Sequence, residues 1–313
     1  TRREIVRDRL PKKFKPLVYG DLFQRVVVHS LVLTFLVLLL YNSLIPLTSL
    51  VLGFIVAICS TVGTYEYSTM AYVKCQYPFK TYASLGSFIF IAMSFPTIRW
   101  SHLLPEYVSV LPWTFLLIWL VINIFKSRKL SIGPLFVSGI TLFSILYVAV
   151  PIRLFLRILY GFVNSPEPYL GVWWASFLIA TTKGADIFGY FFGKGFGKRK
   201  IAPTISPNKT ITGFVAGCLG ATLISLVFFF QTPENYMSYF PYPALLIPLG
   251  MILGVCGFFG DIIESMFKRD AHLKNSNKIQ AIGGMLDTLD SLLLSTPLIY
   301  LFLRIINIKE FLG

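Results

Sequence analysis

Residues 26–65 read VVVHSLVLTFLVLLLYNSLIPLTSLVLGFIVAICSTVGTY, forty positions without a formal charge. One helical crossing of a bilayer takes about 20 apolar residues. The stretch is twice that length, and Tyr41-Asn42-Ser43 breaks it. It therefore reads as two membrane helices joined tightly. Working outward, further charge-free runs lie at 81–98, 107–125, 130–152, 210–233 and 235–260. Two segments, 168–182 and 291–303, reach span length only by taking charges with them: Lys183 and Asp186 in the first, Asp287 and Asp290 in the second. The expected fold is an all-α polytopic integral membrane protein of about nine transmembrane helices. Its organisation reads as a basic leader (1–25), an N-terminal scaffold of about five helices (26–167) and a C-terminal catalytic region of about four (168–313).

Composition agrees. Of 313 residues 55% are hydrophobic and 13% charged, with a mean hydropathy of +0.71, whereas soluble domains carry about a quarter charged residues. Disorder is excluded by the apolar content. The leader has no cleavable signal pattern, and the apolar stretch after it is too long for one. Cys59, Cys218 and Cys256 lie in apolar runs and Cys75 in a short basic stretch. With no paired spacing, they read as small buried hydrophobes rather than a zinc site or a disulfide frame.

Twenty-eight Lys and Arg against fourteen acids give a net charge of +14. Nucleic acid is the weakest partner for this excess, because no long polar segment exists to present a reading element. Anionic lipid or an anionic substrate fits better. With the N-terminus cytoplasmic, twenty-two Lys and Arg fall on inside segments and five outside, namely Arg99, Arg153, Arg157, Arg304 and Lys309. The positive-inside rule then places the C-terminus outside and the two basic loops of the C-terminal half in the cytoplasm.

Ionisable residues at membrane depth are costly and usually serve a cavity, a partner or a substrate. Asp261, Glu264, Asp270, Asp287 and Asp290 cluster with Lys268, Arg269, Lys274 and Lys278. Asp261, Ser265, Lys268 and Arg269 share a helical face, as do Asp287 and Asp290. Carboxylates in such a setting suit a hard cation such as Mg²⁺, and adjoining cations suit phosphate; together they equip phosphoryl or nucleotidyl transfer. Internal salt bridging is the bland reading and would suffice for one pair. A second polar stretch, 186–210, has small residues, five cations and Ser206, Lys209 and Thr210 before the next helix. It reads as a flexible phosphate-gripping loop, with helical N–H donors starting at Thr210. For Lys194, Lys198 and Lys200 singly, a plain positive-inside loop is the better reading.

Gly260-Asp261-Ile-Ile-Glu264-Ser265-Met-Phe-Lys268-Arg269, then Lys274, then Gly283-Gly284-Met-Leu-Asp287-Thr-Leu-Asp290 resembles the signature of CDP-diacylglycerol synthases (phosphatidate cytidylyltransferases). The upstream Asp186-Ile-Phe-Gly-Tyr190 and Ser206-Pro-Asn208-Lys209-Thr210 resemble two further elements of that family at matching spacing. The chain departs at Asn275 for Asp, Gln280-Ala281-Ile282 for Pro-Gly-His, Thr288 for Arg and Thr212 for Glu. The resemblance implies transfer of CMP from CTP to phosphatidic acid, giving CDP-diacylglycerol and pyrophosphate in phospholipid biosynthesis. It implies Asp261, Asp287 and Asp290 as ligands of Mg²⁺, with a second cation left open. By the same resemblance, these three would act with Lys268 and Arg269 in catalysis. Asp186, Tyr190, Ser206, Asn208, Lys209, Thr210, Glu264, Ser265, Lys274, Gly283 and Gly284 would bind substrate. The implied partners are CTP, phosphatidic acid and membrane lipid, without nucleic acid; a homodimer stays open. In a bacterium the location would be the cytoplasmic (inner) membrane, with the site facing the cytoplasm. Two alternatives stand beside this reading. A CTP-dependent polyprenol or phytol kinase would transfer the γ-phosphoryl group, and a membrane transporter would line an ion path with its buried charges.

Overall fold

In the computed structural model the described residues are 35, 37–75, 79–128, 133–237, 243–273 and 284–306. Eight long helices run through them: α1 (Pro46–Cys75), α2 (Lys80–Arg99), α3 (Leu111–Ser127), α4 (Pro134–Tyr160), α5 (Leu170–Phe196), α6 (Ile211–Gln231), α7 (Leu246–Asp270) and α8 (Met285–Ile305). Seven are long and apolar enough to cross a membrane. The eighth, α5, carries Lys183, Asp186 and Lys194. The protein is thus an all-α polytopic integral membrane protein. The first of the nine expected spans and the leader 1–25 lie largely outside the described residues. The joint expected at Tyr41-Asn42-Ser43 is a tight turn: Ser43 N–H donates to Leu40 at 3.1 Å and Ile45 N–H to Asn42 at 3.1 Å. Pro46 then opens α1, where its missing N–H costs nothing. Gly133 makes the turn into α4 at φ 84°, a left-handed conformation that suits a residue without a Cβ.

Several boundaries differ from the charge-free runs. Helix α1 continues ten residues past Tyr65 and takes buried Glu66 with it. Helix α4 ends at Tyr160 rather than near Ile152, carrying Arg153 and Arg157. Arg153 is buried, its Nε donates to Ser94 Oγ at 3.1 Å, and its guanidinium lies 5.0 Å from the Trp113 ring. Helix α7 ends at Asp270, so Asp261 through Arg269 belong to the helix. In each case a charge remains helical because a neighbouring element supplies a partner, which a count of charges along the chain does not register.

The stretch 186–210 corrects the expectation of a flexible loop. Its first half is the last part of α5, and its second is an antiparallel hairpin of β1 (Lys200–Ala202) and β2 (Ser206–Thr210). Pro203 supplies the preset φ at the second position of the turn, and Ile205 N–H closes it on the Ala202 carbonyl at 3.2 Å. Glycines persist in α5 because they pack against glycines of α6: a Cβ on Gly189 would stand 3.1 Å from the Gly213 carbonyl, and one on Gly193 3.2 Å from Gly213 Cα. In lipid, where apolar burial alone does not drive helices together, such close contact is a main source of association.

The described residues from Leu40 onward form one compact unit. At one end Lys74 pairs with Asp270 at 2.9 Å, beside the end of α7. At the other, Arg157 and Arg304 each donate to the Tyr300 hydroxyl at 3.2 Å. Among the described residues, Lys74, expected inside, and Arg157 and Arg304, expected outside, thus fall at opposite ends of the bundle.

Candidate active site

Asp261, on α7, accepts a hydrogen bond from Lys209 Nζ at 2.7 Å. The same ammonium donates to the Phe258 carbonyl at 3.3 Å and lies 4.6 Å from the centre of the Phe258 ring. Lys209 reaches this position because β2 ends immediately before α6. Thr210 caps that helix, its hydroxyl accepting from Gly213 N–H at 3.1 Å, so a cap fixes the register of the preceding lysine. Around the pair lies a cavity of about 250 Å³ whose lining includes Asp186, Tyr190, Ser206, Asn208, Lys209, Thr210 and Asp261. Six residues expected to bind substrate therefore meet one expected catalytic acid in a single hollow. Its remaining walls include Ala185, Gly189, Gly213, Gly217 and Gly254, whose small side chains leave the space open.

Behind Asp261, α7 and α8 touch backbone to backbone. A Cβ on Gly260 would strike the Asp290 carbonyl; this glycine is what lets α7 and α8 approach so closely that the Asp261 and Asp290 carboxyls feel each other's charge. Asp290 is buried and also accepts from the Ser291 N–H at 2.6 Å. From α5, Lys183 donates to Ser291 Oγ at 2.7 Å and to Asp186 at 3.5 Å. Asp186 is near enough to Asp261 for their charges to interact. Lys183, Ser291 and Phe258 join the site although the sequence pattern did not select them. Lys183 had a usable signal, being a charge at membrane depth; Phe258 had none, since its part is a ring face and a carbonyl.

The remaining expected residues form a second cluster. Lys268 bridges two acids, Glu264 at 2.9 Å and Asp287 in a shorter contact. Asp287 also accepts from Gly284 N–H at 3.1 Å, capping α8 from its first turn. Glu66 completes that helix start, accepting from Met285 and Leu286 N–H at 3.0 and 2.8 Å. Arg269 donates through Nε to the Ile205 carbonyl at 3.0 Å, tying the hairpin turn to α7. Ser265 is half-buried on α7. Lys274, Gly283 and the departures at Asn275 and 280–282 lie outside the described residues.

The expected convergence of Asp261, Asp287 and Asp290 is therefore corrected. Asp261 meets Asp290, while Asp287 faces Lys268. Asp287 and Asp290 share a helical face, but Asp287 sits in the first turn, where an unsatisfied backbone N–H captures its carboxylate. Among the described residues no three His, Cys, Asp or Glu gather as a metal cage. A magnesium ion needs no such cage: one or two carboxylates, waters and substrate phosphates are its common ligands. Neighbouring carboxylates repel each other unless a cation or a proton offsets their charge, so Asp261 and Asp290, with Asp186 nearby, fit this donor set.

A helical membrane protein with neighbouring carboxyls, a lysine and a small-walled cavity has the equipment of an enzyme that handles phosphates. The chain belongs to the Cytidylyltransferase family, which it matches over residues 23–306. It is 70% identical over 301 residues to the phosphatidate cytidylyltransferase of Chlamydia pneumoniae, covering 96% of this chain and 98% of that one. It is 55% identical over 294 residues to that of Chlamydia trachomatis serovar D, covering 94% and 96%. The phosphatidate cytidylyltransferase of Bacillus subtilis is 37% identical over 124 residues, 39% of this chain and 44% of that one.

Proposed function

We propose that this chain transfers CMP from CTP to phosphatidate, giving CDP-diacylglycerol and pyrophosphate, with Mg²⁺ held at Asp261 and Asp290. The observation that carries the reading is the Lys209–Asp261 pair at 2.7 Å on the wall of a cavity shared with Asp186, Ser206 and Asn208. A phosphatidate phosphate oxygen attacks the α-phosphorus of CTP as the bond to the pyrophosphate oxygen breaks. A phosphate monoester has a second pKa of about 6, so the nucleophile is already largely ionised at neutral pH. No general base is needed, and Ile282 at the position of the family's histidine is tolerable. What the reaction demands is neutralisation and alignment of two anions that repel each other. The metal, when bound, neutralises charge on the triphosphate. Lys209 brings a cation to the cavity wall and exchanges its carboxylate partner for phosphate oxygens. Ser206 and Asn208 present hydrogen-bonding groups from the hairpin, which Arg269 holds against α7. Lys268, fixed between Glu264 and Asp287, adds positive charge where α7 and α8 meet.

The membrane orientation belongs to the same proposal. The end bearing the hairpin faces the cytoplasm, where CTP is dissolved, and phosphatidate reaches the site from the cytoplasmic leaflet. In a bacterium this is the inner membrane. Purified protein given Mg²⁺, phosphatidate and CTP labelled at the α-phosphorus should release unlabelled pyrophosphate and place the label in lipid. Lipid labelled only from γ-labelled CTP would make the chain a kinase, and no labelling from either would sink both chemistries.

A further inference from the structure

A second cavity, also of about 250 Å³, lies directly behind the first, between α4, α7 and α8. It differs in chemistry, its walls including Val150, Pro151, Ile263, Leu294 and Pro297. The two cavities meet at consecutive residues of α7: Asp261 lines the polar one and Gly260 the apolar one. Gly260 is also where the Asp290 backbone packs, so the apolar hollow begins where the helices of the two aspartates touch. Its other boundary is open, since Leu146 and Leu294 are 37% and 39% exposed; in a membrane-spanning chain that side meets lipid. Two mid-helix prolines line it. Each lacks the N–H that would bond the carbonyl four residues back, those of Tyr147 and Leu293. Tyr147 also lines the cavity and lies near enough to Asp261, Asp290 and Glu264 to feel their charges, giving an apolar hollow one polar corner on its inner side.

Resting on the proposed function, we infer that this second cavity is an acyl-chain subsite, which seats one hydrocarbon chain of the lipid substrate while its phosphate lies at Asp261. A lipid reacting at Asp261 must leave its apolar chains somewhere other than the polar hollow. The cavity beginning one residue away offers apolar walls, an open side and room for the first part of a chain: Pro297 lies seven residues beyond Asp290, about 10 Å along α8. The Tyr147 corner stands where headgroup gives way to chain.

The test compares dioleoyl with dihexanoyl phosphatidate on the full-length protein in detergent, using Leu294→Trp and, on a different helix, Leu146→Trp. Both positions are partly exposed, so the larger ring fills the mouth of the cavity without entering the packed core. Each variant should raise the KM for the dioleoyl lipid about tenfold, with the KM for CTP and for the dihexanoyl lipid within about twofold. Equal shifts for both lipids, or no shift in either variant, would overturn the subsite and leave the cavity to bulk lipid. A variant that fails to fold shows itself by loss of activity on the dihexanoyl lipid, and the other variant then decides. Wild-type protein that transfers no α-label to either lipid would remove the proposed function, and the subsite with it.

Discussion

Lys209 shows what a residue-scale reading can reach. Its position beside Ser206 and Thr210 at a helix start marked it as a phosphate contact, and the folded chain sets it on Asp261. A lysine that merely set topology would extend into solvent, whereas this ammonium is turned inward over Phe258. Lys209→Ala should therefore raise the KM for CTP by about tenfold or more, the scale of one lost charge-assisted contact, and that for phosphatidate much less. Steady-state kinetics with each substrate varied in turn checks this; equal effects on both would mean a structural role for the hairpin. Asp287 shows the limit. Its acidity and spacing were legible, but whether it would face Asp261 or Lys268 was not, because Asp287 and Asp290 share a face on which either partner was available.

At the scale of elements, the hairpin and the long α1 were the unseen parts. Strands β1 and β2 are three and five residues long, too short for a period to emerge, and their content is mostly basic and polar. The extension of α1 was hidden because Glu66 ended the charge-free run. Its carboxylate is satisfied 219 and 220 residues away, by two of the N–H groups that every helix start leaves unpaired. An anion there is favoured by those donors and by the helix dipole. Glu66→Gln keeps one side-chain acceptor and loses the charge, leaving one buried N–H unsatisfied. A loss of about 1–3 kcal/mol is expected, seen as a lower melting midpoint of the detergent-solubilised protein. An unchanged midpoint would show that the start of α8 does not depend on Glu66.

For the whole molecule, the ends of the bundle carry different chemistry. The hairpin, Lys74, Asp270 and Lys268 share one end, and Arg99, Arg157 and Arg304 the other. With its native cysteines replaced, the protein carrying Leu103→Cys should react with an impermeant maleimide added to intact cells. The Arg199→Cys counterpart should react only after the cells are opened. The reverse pattern would turn the site away from cytoplasmic CTP and refute the orientation proposed for it.

Membrane spanning and the family were determined by the sequence alone. Bilayer thickness demands apolar runs of a set length, and a reaction among phosphates demands certain residue types at set spacings; both are local patterns. Which side chains meet was decided only in three dimensions. Asp261 finds Lys209 and Asp290, Lys183 finds Ser291, and Glu66 finds the start of α8. The partners lie far apart along the chain, and no spacing rule specifies them. Their pairing follows from how closely two helices approach, which at Gly260 depends on one missing Cβ. The same close approach divides a polar cavity from an apolar one.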